Sequence, residues 1–335
     1  MNRGEQIYNY PLYSLKRFPT FLKYSIPVAK KLGGAKINWL FVLLDMIWCN
    51  LRYGAMDSRD YLLFEFHRKS AAERNKFFTK RRYFRLIRNF NKEVFFRLAD
   101  KDNMYEEYRS FIKRKWILIN SETTEEDVND FIARYDRLLV KPASAEQGQG
   151  ISVLKTNDKA TLRKIIEDKA SNPVILEELL TNCDEMQVIN PSSLNTLRVF
   201  TIVPKGKEPM VISVSLRCGR GDTIVDNWGA GGIGYPVDIQ SGIIYSYGRD
   251  KKGNPYIFHP ESNTLMVGIK IPFYKEAIDY AVQCTRHNRD VLYAGVDIAL
   301  TPEGPELVEL NFPGGHDFLQ TLDQVGKNDL MQSII

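Results

Sequence analysis

The chain has 335 residues, 44% of them hydrophobic and 12% aromatic, with a formal net charge of +5 at pH 7. That length leaves room for two or three domains around a large core, and that composition excludes a disordered or low-complexity chain. The charge is unevenly placed: residues 1–100 hold 20 Lys+Arg against 8 Asp+Glu, a net of +12, and the remainder nets −7. Cys49, Cys183, Cys218 and Cys284 are scattered, with no CxxC or Cys/His cluster. A zinc site and a disulfide framework are therefore not expected, and a reducing cytoplasm is the simplest home.

In chain order, MNRGEQIYNYPLYSL lacks the apolar core and cleavage site of a signal peptide. Residues 14–36 interleave Lys and Arg with Phe, Tyr, Leu and Ile, which reads either as an interfacial helix or as a solvated helix face. The most apolar run, residues 37–51, is short for a bilayer and carries Asp45 in its middle, so a buried helix is expected there. Ser58 is a candidate N-cap, and Ser70 with Glu73 forms a candidate capping box. Residues 79–90 are a second basic and aromatic block. The first third thus reads as a basic, mainly helical region (1–95) that either contacts something anionic, a membrane surface, a phosphorylated lipid or nucleotide sugar, or nucleic acid, or presents both basic blocks as solvated helix faces paired with acidic groups elsewhere. No nucleic-acid-binding motif is present.

From about residue 138 the pattern changes to short β-rich runs: 137–142, 151–155, 173–179, 196–203, 210–218, 294–301 and 306–312. Helical segments at 158–170 and 272–288 fall between some of them. Without strict alternation, this mixture predicts an α+β fold with antiparallel sheets.

Three stretches carry chemistry. RLLVKPASAEQGQGISVLK reads as strand, glycine-containing loop and strand, with Lys141 ending the first strand. Such a loop can cover a polyphosphate, but it is not a Walker loop and also fits an ordinary hairpin turn. PVILEELLTNCDEM runs an apolar strand into Glu177 and Glu178, an exit able to face an adenine edge or simply to form a surface turn. Finally, AGVDIALTPEGPELVELNFPGG pairs two apolar runs bearing Asp297, Glu309 and Asn311, with no Lys or Arg nearby in the sequence. Glu309 and Asn311 lie two apart and share a strand face. Two carboxylates and an amide oxygen suit Mg²⁺ shared with phosphates, or form the wet face of a hairpin.

Taken in order from Tyr61 to Gln320, the chain resembles the ATP-grasp enzymes, and within them the group associated with sugar transfer. The resemblance rests on YLLFEF from Tyr61, Asp100-Lys101, VKPASAEQGQG from Val140, ILEELL from Ile175 and SLNTLRVFT from Ser193. It continues through VDNWGAGGIGYPVD from Val225, His259-Pro260, GVDIAL from Gly295 and VELNFPGG from Val308. It implies two α+β lobes sandwiching ATP: a small lobe (96–190) with the phosphate-covering loop and hinge, and a large lobe (191–335) with the metal site. Lys101 and Lys141 match the two phosphate-binding lysines. Ser144, Gln147, Gly148 and Gly150 belong to the covering loop, and Glu177, Glu178 and Leu179 to the adenine hinge. Asp184, Glu185 and Gln187 compete for the ribose. Asp297, Glu309 and Asn311 match the ligands of Mg²⁺, two ions being expected and Mn²⁺ an acceptable substitute. Arg198 would stabilise the transferring phosphoryl group, Asn195 and Thr196 would orient it or the acyl substrate, and Asp226, Asn227, Gly231 and Gly232 would form the substrate loop. His259 is expected to be structural, and His316 is expected near phosphate or substrate.

The resemblance implies an ADP-forming carboxylate–amine ligase acting through an acyl phosphate in surface-glycan biosynthesis, joining an amino acid or similar group to a sugar or polymer precursor. It would work in the cytoplasm, peripherally at the inner membrane face or on a lipid-linked glycan. A sugar phosphotransferase and a non-catalytic nucleotide-binding scaffold are the competing readings.

Overall fold

The computed structural model describes residues 17–34, 37–143, 150–221, 223–224 and 226–334. Its described helices are α1 (Phe18–Gly33), α2 (Trp39–Tyr53), α3 (Ser58–Leu63), α4 (Ala71–Asn75), α5 (Lys80–Ile87), α6 (Lys92–Arg97), α7 (Lys101–Glu107), α8 (Glu125–Ile132), α9 (Lys159–Asp168), α10 (Asp184–Gln187), α11 (Tyr274–His287), α12 (Phe318–Thr321) and α13 (Asn328–Gln332). The strands are β1 (Trp116–Ile119), β2 (Arg137–Pro142), β3 (Ser152–Lys155), β4 (Val174–Glu178), β5 (Thr196–Ile202), β6 (Met210–Cys218), β7 (Ile233–Val237), β8 (Gly248–Arg249), β9 (Pro255–Tyr256), β10 (Tyr293–Thr301) and β11 (Gly304–Asn311).

The strands form two sheets, a small one in the order β1-β4-β2-β3 and a large one in the order β11-β10-β5-β6-β7-β8-β9. Every strand pairing in them is antiparallel. The α+β architecture expected from the sequence is therefore present. Strands β1 and β7 to β9 were not anticipated. β1 is only four residues long, and β8 and β9 have two residues each, too few for a period-two pattern to register.

Local chemistry sets the helix boundaries. Asn38 caps α2 by accepting from the Leu40 N–H at 2.9 Å, and Gly54 ends it with φ +80°. The Ser70–Glu73 capping box is formed at α4. Asp57, not Ser58, caps α3, accepting from the Arg59 and Asp60 N–H groups; a carboxylate one residue upstream meets the same donors. No helix among the described residues is long and apolar enough to cross a membrane.

Burial separates two cores. Ile119, Val128, Leu138, Leu154, Leu162 and Leu176 close the small sheet against α8 and α9. The larger core joins the large sheet and α11 to the N-terminal helices. Phe90 stacks on Phe312 at 5.3 Å and Tyr83 on His316 at 5.2 Å, so the basic first third is built into the large sheet's core. The run 37–51 is not wholly buried as expected: α2 buries Val42, Met46, Cys49 and Tyr53 and leaves the opposite side exposed.

Leu176 is fully buried at the centre of the small core. Leu176→Ala is expected to cost about 2–5 kcal/mol of stability through lost burial and a residual cavity. Urea unfolding measures this, and a change below about 1 kcal/mol would show that the small core does not hold the sheet.

Candidate functional site

The two sheets face one another across a cavity of about 680 Å³. Its small-sheet wall is partly apolar, with Leu139, Ile151, Val153 and Leu179, a surface suited to a flat ring. Its large-sheet wall is polar and charged.

That charge follows from strand register. Asp297 on β10 lies opposite Arg198 on β5 and opposite Glu309 on β11, while Thr196 lies opposite Arg217 on β6. Paired residues project to one face, so these side chains converge. Both Asp297 oxygens are engaged. Arg198 grips them with Nε and with a terminal nitrogen at 2.8 Å, Arg217 approaches at 3.3 Å, and Asn311 donates Nδ2 at 3.2 Å. Burial alone would raise the Asp297 carboxyl, but the two guanidinium groups hold it below the usual range. The absence of nearby cations in the sequence is thus reversed in space: adjacent strands bring two arginines to this acid.

Arg217 also donates to Asp226 at 2.9 Å and to the Thr196 hydroxyl at 3.0 Å. Asp226 accepts from the Thr196 N–H at 2.8 Å and from its hydroxyl. Burial pushes the Asp226 carboxyl up, against the pull of Arg217. Gly232 supports this loop by close approach: a Cβ there would stand 2.4 Å from the Asp226 carbonyl oxygen. Gly231, at φ +109°, ends the one-turn helix that begins beyond Asn227. Asp226 and Asn227 line the cavity, but the two glycines shape the loop without lining it.

On the small-sheet side, Lys141 on β2 meets Glu177 on β4 at 2.6 Å and donates to Tyr105 at 3.1 Å. Tyr105 donates to Glu177 at 2.5 Å, and Arg114 donates to it at 2.8 Å. Arg114 then crosses to the large sheet, donating to Glu306 at 3.0 Å and to the carbonyls of Leu307 and Val308 on β11 at 2.5 and 3.3 Å. Burial opposes ionisation of Glu177, but Arg114 and Lys141 overcome it and hold the carboxyl at about 2.

The remaining expected residues separate. Lys101, Leu179, Gln187, Thr196 and Arg198 line the cavity, as do Asp297, Glu309 and Asn311. Glu177 lines the cavity with its side chain on Lys141, and Glu178 lies outside the lining, its oxygen accepting from the Lys115 N–H at 3.3 Å. Of the ribose candidates, Gln187 lines the cavity and Asp184 and Glu185 do not. Asn195 is spent on loop structure: its amide donates to Met186 and Asn190 carbonyls at 3.0 and 3.2 Å. Ser144, Gln147 and Gly148 lie outside the described residues; Gly150 is exposed at φ +71°. His259 is buried, its Nε2 3.0 Å from the Gly219 carbonyl oxygen. His316 is held by Asp60 at 2.9 Å and does not line the cavity.

Sequence reasoning missed Arg217, Arg114 and Tyr105. For Arg217 a signal existed, since Ser213, Ser215 and Arg217 alternate with apolar residues along β6. Arg114 has no such signal, because its partners lie 63 and 192 residues away.

Whether the oxygens fit a hard cation can be read from their partners. Glu309 forms no hydrogen bond or salt bridge among the described residues, though Arg217 lies near enough to feel its charge. Asn311 spends its Nδ2 on Gly295 and Asp297, which leaves its oxygen facing outward as an acceptor. Glu309 and Asn311 therefore fit a magnesium ion, whereas Asp297 would share its oxygens between the ion and two arginines. Among the described residues no group of three or more His, Cys, Asp or Glu forms a metal cluster.

Comparison with known proteins adds a family. The model described as sugar-transfer associated ATP-grasp matches residues 80–334. No curated protein matches the chain. Among solved structures, the ADP complex of an N5-carboxyaminoimidazole ribonucleotide synthetase is 13% identical, covering 71% of this chain and 54% of its own, with a TM-score of 0.44. D-alanine–D-alanine ligase from Bacillus anthracis is 15% identical over 73% of this chain and 68% of its own, at 0.43. VanG D-Ala:D-Ser ligase from Enterococcus faecalis is 16% identical over 73% and 62%, also at 0.43. The chain thus spans about half the length of the synthetase.

The Glu177 cluster generates a pH prediction. Its carboxyl, at about 2 when folded, has an ordinary value of 4.5, so its stabilising contribution is complete above pH 4.5 and is lost as pH falls towards 2. Glu177→Gln strands Arg114 and Lys141 and is expected to cost about 3–5 kcal/mol at neutral pH. It should also flatten the acid limb of the stability profile. Urea unfolding at several pH values measures both, and an unchanged acid limb would contradict the assignment.

Proposed function

Because the chain belongs to the sugar-transfer associated ATP-grasp family, we propose that it is an ADP-forming carboxylate–amine ligase. The observation that carries this reading is a single cavity with Lys101 and Lys141 on one side and Arg198, Arg217, Asp297, Glu309 and Asn311 on the other. Cations and hard oxygens facing one another suit a polyphosphate.

ATP lies with its adenine on the apolar shelf of Leu139, Ile151, Val153 and Leu179, and Gln187 is the cavity-lining candidate for the ribose. Lys101 and Lys141 bind phosphate oxygens as point charges. Glu309 and Asn311, with Asp297 sharing its oxygens, would hold Mg²⁺, which would supply charge neutralisation to the phosphates. The carboxylate substrate attacks the γ-phosphorus; its C–O–P bond forms as the bond to ADP breaks. Arg198 and Arg217 offset the charge on the transferring oxygens from fixed positions, which lowers the barrier because they need not reorganise. Thr196 and Asp226 position Arg217, and Asn227 faces the substrate end. An amine then attacks the acyl carbon and phosphate leaves, giving an amide. Walling the site with two sheets limits hydrolysis of the acyl phosphate.

The amine or carboxylate partner is a sugar- or amino-acid-linked precursor of a surface glycan, a reading for which the family's description, sugar-transfer associated, supports the sugar part. A cytoplasmic location fits four cysteines that are all buried and free.

A screen of amino acids against uronic-acid sugars with ATP and Mg²⁺ tests the reaction. A ligase yields ADP, free phosphate and an amide in equal amounts. A phosphorylated product without free phosphate would identify a phosphotransferase, and nucleotide binding without turnover a scaffold. Glu309→Ala is expected to lower kcat about 100-fold or more. Turnover unchanged in that variant would remove Glu309 from the metal site.

A further inference from the structure

Helices α1 and α2 pack against one another and leave an apolar surface exposed among the described residues. On α2 the buried residues Val42, Met46, Cys49 and Tyr53 occupy one side. On the other side Ile37, Leu40, Phe41, Leu44, Trp48 and Leu51 are 54, 48, 69, 61, 55 and 66% exposed. At 100° per residue the five helical ones, Leu40, Phe41, Leu44, Trp48 and Leu51, fall within an arc of about 100° opposite the buried set, and Ile37 immediately precedes the helix. They form one stripe, not scattered surface residues.

The electrostatics are one-sided as well. The only acid in either helix is Asp45. Its carboxylate is consumed by Arg74 at 2.7 and 2.8 Å and by the Tyr61 hydroxyl at 2.7 Å. Lys23, Lys30, Lys31 and Arg52 are exposed, and Lys30 stands 5.4 Å from the Trp39 ring. The whole first hundred residues carry +12.

We propose that this face of α2 docks on an anionic lipid bilayer, with the helix lying in the interface plane. Fifteen residues, about 22 Å of helix, are too short to cross but suited to lying flat, and Trp48 belongs at the level of lipid headgroups. A second copy of the chain is the rival occupant. It would press two regions of +12 together, whereas an anionic surface satisfies the stripe and the charge at once. Helix α2 is also close to the cavity: it ends at Tyr53, and Arg59 at the start of α3 lines the cavity. Six residues reach at most about 22 Å. On the ligase reading, this proximity favours a lipid-linked glycan as a substrate.

Flotation of the full-length protein tests the docking without reference to catalysis. Vesicles of phosphatidylcholine with phosphatidylglycerol are expected to carry the protein at about 0.1 M salt, and vesicles of phosphatidylcholine alone much less. Leu44→Glu with Trp48→Glu should weaken that binding about tenfold or more, while thermal unfolding and ATP binding stay unchanged. Lys30→Glu with Lys31→Glu should remove the preference for anionic vesicles. A milder pair, Leu44→Ser with Leu51→Ser, serves if the charged pair misfolds. No flotation of the wild type at low salt, or flotation of both apolar-face pairs as complete as that of the wild type, overturns the proposal. So does a dimer seen by light scattering that the Leu44 and Trp48 substitutions dissociate, since the second copy would then be the occupant.

Discussion

The arrangement of the molecule depends on one buried carboxylate. Glu177 receives Lys141, Tyr105 and Arg114, and Arg114 continues to Glu306 and the backbone of β11. Two cations and two carboxylates are removed from water together, so the group is neutral as a whole. Burying any one of them alone would cost several kcal/mol. Pulling the sheets apart at this edge would separate them, so this cluster ties one sheet to the other. The same bonds aim Lys141 and fix the stretch of β11 that carries Glu309.

A second group sits on the large sheet and is balanced in the same way. Asp297 and Asp226 are matched by Arg198 and Arg217, and Thr196 fills remaining donors and acceptors. The contrast lies next to it. Glu309 stands beside this saturated group with no hydrogen bond or salt bridge of its own among the described residues. Saturated charge gives rigidity, and the neighbouring carboxylate keeps oxygens that no donor among the described residues occupies. The two roles are divided between adjacent positions of one sheet face.

Strand patterning was legible in most of the longer strands, β7 being hidden by Gly234 and Pro236. The runs at 137–142, 196–203, 210–218 and 294–301 lie within a residue of β2, β5, β6 and β10. What patterning could not deliver is what depends on contact across the chain. Arg114 sits in a short basic stretch and looks like surface until Glu177 and Glu306 arrive from elsewhere. Asn195 resembled a substrate contact because of its neighbours, yet backbone carbonyls of the preceding loop take its amide. α2 was ambiguous for a different reason: an apolar run has no visible inside, and only the packing of α1 and α3 decides which face is covered.

The seam between helices and sheet has a consequence for where the protein begins as an autonomous unit. The matched family segment starts at Lys80. At that point the chain is crossed by bonds: Thr79 donates its hydroxyl to the Tyr53 carbonyl, and the Lys80 N–H donates to Asp60. Gln320, near the other end, both donates to and accepts from the backbone of Phe78. A boundary drawn by family resemblance therefore cuts through a continuous interior. Residues 17–79 share a hydrophobic core and these hydrogen bonds with the rest of the chain, so that whatever engages the outer helices acts on the same packed body that walls the cavity.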